Sequence, residues 1–204
     1  HGTTIGGLIV DGGNFDWGKA GADRQPAMNT PDPCYGGVVW DEQVTKNMGL
    51  PFAYLLKLRT TLLRDLGGAM SPFNAWMFIQ GLETLPLRMR EHAKNAQAVA
   101  EALAANKKVQ SVTYPGLFEG AEKEKADKYM TGGYGALIGF ELPGGKEAGS
   151  KFIDSLELLY HVANIGDSRS LAIHPATTTH SQLAPEEQLS AGVTPGYVRL
   201  SIGI

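Results

Sequence analysis

Apolar residues change their spacing twice along this chain. Thr4-Ile5-Gly6-Gly7-Leu8-Ile9-Val10 is a nearly continuous apolar run, which reads as a buried strand ended by Asp11-Gly12-Gly13. From Asn14 to Pro51 no period is visible; the segment is rich in Gly, Pro and Asp, with scattered aromatics at Phe15, Trp17, Tyr35 and Trp40. It is too long for a simple connector and is expected to be an ordered loop lying against other structure. From Phe52 to Leu66 the residues Leu55, Leu58, Leu62 and Leu66 recur at helical spacing, and Gly67-Gly68 stops the helix. Ser71-Pro72 then supplies an N-cap with proline at the first helical position. The helix that follows, Asn74 to Leu85, is apolar almost all round and is expected to be buried. Pro86 should kink or break it. Arg88 to Ala105 is a more polar helix carrying Ala93, Ala96, Ala100, Leu103 and Ala104 on one face, which suits a bridge between two domains.

After Asn106 the period alternates between strand and helix. Val109–Tyr114 and Tyr134–Leu142 read as strands closed by Pro115-Gly116 and Pro143-Gly144-Gly145. Glu119–Met130 reads as a charged helix, and Phe152, Ile153, Leu156 and Leu159 mark an amphipathic one. His161–Asn164 and Tyr197–Ile202 complete the set of strands. Such alternation predicts a small α/β sandwich with helices covering one face of a sheet.

The tail breaks the apolar pattern. Asn164-Ile165-Gly166-Asp167-Ser168-Arg169-Ser170 and His174-Pro175-Ala176-Thr177-Thr178-Thr179-His180 place amides, hydroxyls and imidazoles together, and Arg199 stands inside the strand-like run Tyr197–Ile202. A cation buried there needs an anionic partner. Two readings are open: Arg199 pairs with an internal Asp or Glu, or it binds a ligand carboxylate bidentately, with the Asn164 amide alongside. His174 and His180 read more simply as satisfied histidines that hold the loop by hydrogen bonds.

Composition narrows the alternatives. The 204 residues carry 18 Lys and Arg against 21 Asp and Glu, a net charge of −3. No basic run supports binding to nucleic acid or a membrane surface. Cys34 is the only cysteine, so no intrachain disulfide can form, and the reducing cytoplasm is the expected compartment. No apolar run has the length of a membrane span and no signal-peptide pattern opens the chain. The sequence has no P-loop, dinucleotide or nucleophile-elbow motif. The spacing of His174 and His180 fits no common metal motif, so no metal is expected, and Cys34 has no neighbouring base. The chain starts at His1 rather than Met and stops at Ile204 straight after a strand-like run, so it reads as an internal piece of a longer polypeptide.

Together, Ala163–His180, Val198-Arg199-Leu200-Ser201-Ile202-Gly203, Leu66-Gly67-Gly68-Ala69-Met70-Ser71-Pro72 and His1-Gly2-Thr3-Thr4-Ile5-Gly6-Gly7 resemble the Cys/Met-metabolism family of pyridoxal-phosphate enzymes. The motifs fall in the family's order over essentially the whole chain. The sequence is most similar to the O-acetylhomoserine sulfhydrylase branch. Asn164-Ile165-Gly166 stands where γ-synthases and γ-lyases carry Ser-Leu-Gly, and Ala163 stands where several of them carry glutamate. His174–His180 and Asn74-Ala75-Trp76 fit that branch as well.

The resemblance implies an α/β, fold-type I (aminotransferase-like) transferase: residues 1–90 the end of the large cofactor-binding domain, residues 91–204 the small C-terminal α/β sandwich domain. It implies pyridoxal 5'-phosphate as cofactor and a homotetramer built from dimers, with Asn14–Pro51 a candidate for the subunit contact. Arg199 would bind the substrate α-carboxylate, Asn164 would replace the family serine near that carboxylate and the cofactor, and Thr179 would line the same pocket. The implied reaction is γ-replacement on O-acetyl-L-homoserine by sulfide or methanethiol, giving homocysteine or methionine and acetate. A cystathionine γ-synthase or a γ-lyase of the same family is the alternative reaction. The Schiff-base lysine falls ahead of His1, and none of Lys19, Lys46 or Lys57 has its motif, so no catalytic residue is assigned and the chain by itself reads as a non-catalytic fragment.

Overall fold

A computed structural model describes residues 2–204 and divides into two compact units, Ile5–Trp76 and the C-terminal unit from Met77 to Ile204, to which the first residues up to Thr4 also belong. In the first unit the aperiodic segment is ordered and partly helical. It contains α1 (Trp17–Arg24) and α2 (Pro26–Asn29), a 3₁₀ turn at Pro33–Tyr35 and a π-helical turn at Asp41–Asn47. Met28, Trp40 and Val44 bury themselves against Ala53 at the start of α3 (Ala53–Lys57). Asp32 fastens this cluster, accepting hydrogen bonds from Trp40 Nε1 at 2.9 Å, Lys57 Nζ at 2.7 Å and the Cys34 amide at 3.0 Å.

The helix expected over Phe52–Leu66 is present, but its turns widen to π-type from Leu58 to Arg64. Thr60 and Thr61 supply the local reason: their hydroxyls bond back to the carbonyls of Leu56 and Lys57 and compete with the regular ladder. Two expectations need correction. Thr4–Val10 forms no strand, and Ile5, Leu8 and Val10 lie open to solvent, because no strand among the described residues pairs with it. The apolar helix α4 (Pro72–Glu83), N-capped by the Ser71 hydroxyl, is not buried either; Phe73, Trp76, Ile79 and Leu82 are all exposed.

The chain breaks at Thr84 and restarts as α5 (Leu85–Ala104), with Pro86 in its first turn, where a missing amide costs nothing. The expected boundary between residues 90 and 91 therefore falls inside α5. Beyond it lie β1 (Ser111–Thr113), α6 (Gly120–Tyr129), β2 (Leu137–Glu141), α7 (Gly145–Asp154), β3 (Tyr160–His161), β4 (Leu171–Ile173), α8 (Pro185–Ser190) and β5 (Tyr197–Ser201). The strands form one sheet in the order β1-β2-β5-β4-β3, antiparallel except for the β3–β4 pair. Strand β4 is absent from the sequence-based reading, which took its surroundings for a polar loop. Leu156 and Leu159, assigned to an amphipathic helix, lie beyond the end of α7.

Register fixes the two faces of the sheet. Ile138 pairs with Leu200, Phe140 with Val198 and Ala172 with Leu200, and all five are buried. They share a core with Ala96 and Ala100 of α5 and Ile153 of α7. The two alanines, one helical turn apart, let α5 approach the sheet closely. No helix among the described residues is long and apolar enough to cross a membrane.

Candidate functional site

Strand alternation decides what Arg199 faces. Val198 and Leu200 point into the core, so Tyr197, Arg199 and Ser201 share the opposite face of β5. There Arg199 is paired with Gly139 of β2 on one side and Ile173 of β4 on the other. Gly139 is required by its neighbour, since a Cβ at that position would collide with the Tyr197 ring. Glycine in the middle of an apolar strand is the sequence signal for this crowding.

The Arg199 guanidinium donates from Nη2 to the Ala163 carbonyl at 2.7 Å and, at 3.4 Å, to that of Asn164. Its Nε is buried and has no partner, and no carboxylate among the described residues forms an ion pair with it. Burial pulls the Arg199 pKa below the ordinary arginine value, opposed by the nearby Tyr197, whose own phenol is pushed up by burial. Pairing with an internal acid is thus not what this arginine does here. A planar cation with a free, desolvated N–H is an anion receptor.

The Asn164 loop is fixed to the end of the same strand. The Gly166 amide donates to Ser201 Oγ at 3.3 Å, the Gly203 amide to Ser170 Oγ at 3.0 Å and the Ile204 amide to the Ser168 carbonyl at 2.9 Å. Asp167 is buried and takes the Arg169 Nε at 3.1 Å, its Nη2 at 3.0 Å and its backbone amide at 3.0 Å. The Arg169 side chain, then its amide, hold the Asp167 carboxyl at a pKa of about 2, below its ordinary 3.8. Arg169 also lies over the Tyr160 ring, 4.8 Å from its centroid. Sequence reading missed the Asp167–Arg169 clasp, although an Asp-x-Arg step in a glycine-containing turn carries the signal.

Asn164 itself is exposed, with its side-chain amide directly over Gly2, whose φ of +64° and lack of a Cβ leave room for it. Beside the loop a cavity of about 260 Å³ is lined by Thr3, Thr4, Ile165 and Gly166 together with Phe78 and Arg88. Arg199 and Asn164 are therefore brought together through the loop backbone. Thr179 is exposed and shares a 2.9 Å hydrogen bond with His180 Nδ1; among the described residues no hydrogen bond joins it to Arg199 or Asn164.

His174 is buried, with Nε2 2.8 Å from the Pro195 carbonyl and Nδ1 2.9 Å from Thr177 Oγ1. A carbonyl can only accept, so this geometry puts the ring proton on Nε2. The ring supports the loop and is saturated. Gln188, silent in the sequence, is buried and donates to the carbonyls of His180 and Ala176, tying α8 to the same loop. No group of three His, Cys, Asp or Glu residues among those described is placed to hold a metal ion.

Comparison with known proteins gives this geometry a context. Residues 1–204 match the model of the family described as Cys/Met metabolism PLP-dependent enzyme. The chain is 52% identical to the O-acetyl-L-homoserine sulfhydrylase of Leptospira meyeri, 47% to O-acetyl-L-homoserine sulfhydrylase 1 of Thermus thermophilus and 46% to the homocysteine synthase of Schizosaccharomyces pombe. Each match covers 100% of this chain and 46%, 47% and 46% of those proteins, so the chain spans about half the length of the curated relatives it matches. A Campylobacter jejuni crystal structure that contains a pyridoxyl-lysine-5'-monophosphate residue superposes with a TM-score of 0.76 at 41% identity, over 89% of this chain and 42% of that one. The cystathionine γ-synthase of Xanthomonas oryzae, solved with aminoacrylate and cysteine, gives 0.63 at 40% identity over 68% of this chain and 36% of that one. By sequence and by fold, the chain belongs to the Cys/Met-metabolism family of PLP-dependent enzymes.

Proposed function

We propose that the protein of which this chain forms part catalyses γ-replacement on O-acetyl-L-homoserine. Sulfide or methanethiol would displace acetate to give homocysteine or methionine. The observation that carries this reading is Arg199, a desolvated guanidinium with an unused Nε–H and, among the described residues, no ion-paired acid. The substrate's α-carboxylate is the anion that fits. The fixed Asn164 loop sets the orientation, since two of its carbonyls lock the guanidinium plane before any ligand arrives. The Asn164 amide would add a neutral donor and acceptor at the loop tip, and on the family resemblance Thr179 would line the same pocket.

The residues of this chain fit the substrate end of a pyridoxal-phosphate site. The cofactor, when bound, supplies an electron sink. The resemblance puts the lysine that holds it ahead of His1. Of the lysines weighed for that role, Lys57 is ion-paired to Asp32 at 2.7 Å and Lys46 to Asp41 at 3.3 Å. The large-domain and small-domain assignment of residues 1–90 and 91–204, a homotetrameric assembly and a cytoplasmic location belong to the same proposal.

The names of the sulfhydrylase relatives, at up to 52% identity, support this branch. The likeness to a cystathionine γ-synthase favours that reaction as the second reading. An assay of full-length protein with O-acetyl-L-homoserine separates them: acetate release that depends on sulfide supports the first, and cystathionine formed from cysteine supports the second. In that assay Arg199→Ala should raise KM for the amino-acid substrate by about 30-fold or more, the equivalent of losing one charge-assisted pair. Arg199→Lys should recover only part of this, because an ammonium cannot bind bidentately. An unchanged KM in Arg199→Ala would remove Arg199 from the site.

A further inference from the structure

Helix α5 carries a histidine that nothing described so far employs. His92 is fully buried, and among the described residues neither ring nitrogen makes a hydrogen bond of good geometry, the Ile202 backbone being the polar group that faces it. A buried imidazole left unsatisfied is costly, and such groups in native proteins normally meet a ligand or ordered water. His92 lines a cavity of about 580 Å³ between α5 and the loop Thr131–Ala136, a volume in the range of small-molecule sites.

Two further features give that cavity a chemical character. None of the backbone amides from Thr131 to Gly135 donates a hydrogen bond among the described residues. Gly132, Gly133 and Gly135 have φ of +86°, +131° and +78°, which keeps this stretch out of regular structure. Gly133 is held against α5 so closely that a Cβ would lie 2.7 Å from Ala93 Cβ, next to His92. Arg90, three residues before Ala93, lines the cavity, is exposed and makes no ion pair among the described residues. The remaining wall is largely apolar, from Pro86, Met89, Tyr129 and Met130.

We propose that this cavity is a second ligand site, selective for a small amphipathic carboxylate. Its anionic end is received by Arg90 and the free loop amides and its aliphatic body by the methionine-lined wall, over which the buried His92 ring lies. Burial and the Arg88 charge depress the His92 pKa, against weaker opposition from a hydrogen bond with the Ile202 backbone and from Asp167, so the ring adds no second cation to the site. The site is joined to β5 by its own helix, because Asn95 of α5 donates to the Gly203 carbonyl at 3.1 Å.

Titration calorimetry of the full-length protein with sodium butyrate, n-butylamine and n-butanol tests this directly. Saturable heat is expected for butyrate alone. Arg90→Gln should weaken it about tenfold or more, and Arg90→Lys should restore part of it. Because His92 is buried, the exposed Arg90 is the deciding position. The same titration on Arg199→Ala separates the two sites, since butyrate binding in the cavity should persist there. Absence of saturable butyrate binding, or affinity unchanged in Arg90→Gln, overturns the proposal. So does binding that is lost in Arg199→Ala, which would report the substrate pocket instead.

Discussion

The two compact units treat the same kind of residue in opposite ways. In the C-terminal unit, Ile138, Phe140, Val198 and Leu200 are almost wholly hidden between the sheet and its helices. In Ile5–Trp76, only Met28, Trp40, Val44 and Ala53 form a buried cluster, while Ile5, Leu8, Val10, Leu66 and Phe73 remain in water. Hydrophobicity was equally visible in both. What differs is whether a second layer is present among the described residues to receive the apolar face. An apolar stripe specifies that a surface needs covering; the covering itself comes from elsewhere in the fold.

The sharpest test of that contrast is Phe140. Its ring is 1% exposed and meets Phe152 edge-on, with centroids 5.4 Å apart. Phe140→Ala should destabilise the C-terminal unit by about 3–5 kcal/mol in denaturant unfolding, since it removes a buried ring and leaves a cavity. A cost near zero would mean that the sheet is not the closed core described above.

A smaller effect is expected at Gly149. A Cβ there would strike the His174 ring, which its bonds to Pro195 and Thr177 prevent from turning aside. Gly149→Ala should cost about 1–3 kcal/mol by overpacking. At Gly68, where nothing lies within 4 Å, the same change should be neutral or stabilise by about 0.4–1 kcal/mol through the unfolded chain. Equal costs at the two glycines would erase the difference in packing.

Electrostatics of the Asn164 loop gives a pH window. The Asp167 carboxyl is held at about 2, below its ordinary 3.8, chiefly by Arg169. A depressed acid stabilises the fold above its ordinary value and loses that contribution as pH falls toward 2. Arg169 is half exposed, so screening limits the gain to about 1 kcal/mol. Asp167→Asn should therefore remove part of the stability loss seen below pH 4 and leave acid unfolding otherwise unchanged. An identical acid profile in the variant would show that the clasp does not form in solution.

Legibility in the sequence followed the same divide. Strands β1, β2 and β5 and the helices α5 and α6 were readable from period alone, because each pairs or packs within its own unit. Strand β3 was placed late, at His161–Asn164, and α7 was marked only by residues at and beyond its end. Strand β4 was not readable: Leu171-Ala172-Ile173 is too short to show alternation and sits between polar runs. Arg199 was legible because a cation inside a strand is chemically unusual. Its geometry was not, since the facing carbonyls of Ala163 and Asn164 come from a loop 36 and 35 residues away in sequence. The buried strand over Thr4–Val10 and the buried helix after Ser71 were misread for one reason, that apolar sequence was equated with burial. His92 was given no role, as a polar residue at an otherwise ordinary helix position reveals nothing until its burial is seen.

The smallest expected effect tests the exposed region directly. Phe73 touches Trp76 in a tilted pair, with centroids 5.6 Å apart, yet both remain more than half exposed. Removing a ring that stays in water forfeits little transfer energy, so Phe73→Ala in this 204-residue chain should change stability by less than about 0.5 kcal/mol. Placed beside Phe140→Ala, the pair compares one side-chain deletion in two surroundings, and the several-fold difference in cost measures burial alone. A loss of about 2 kcal/mol or more at Phe73 would show that α4 is covered after all, and the contrast between the two units would then collapse to the unpaired segment Thr4–Val10.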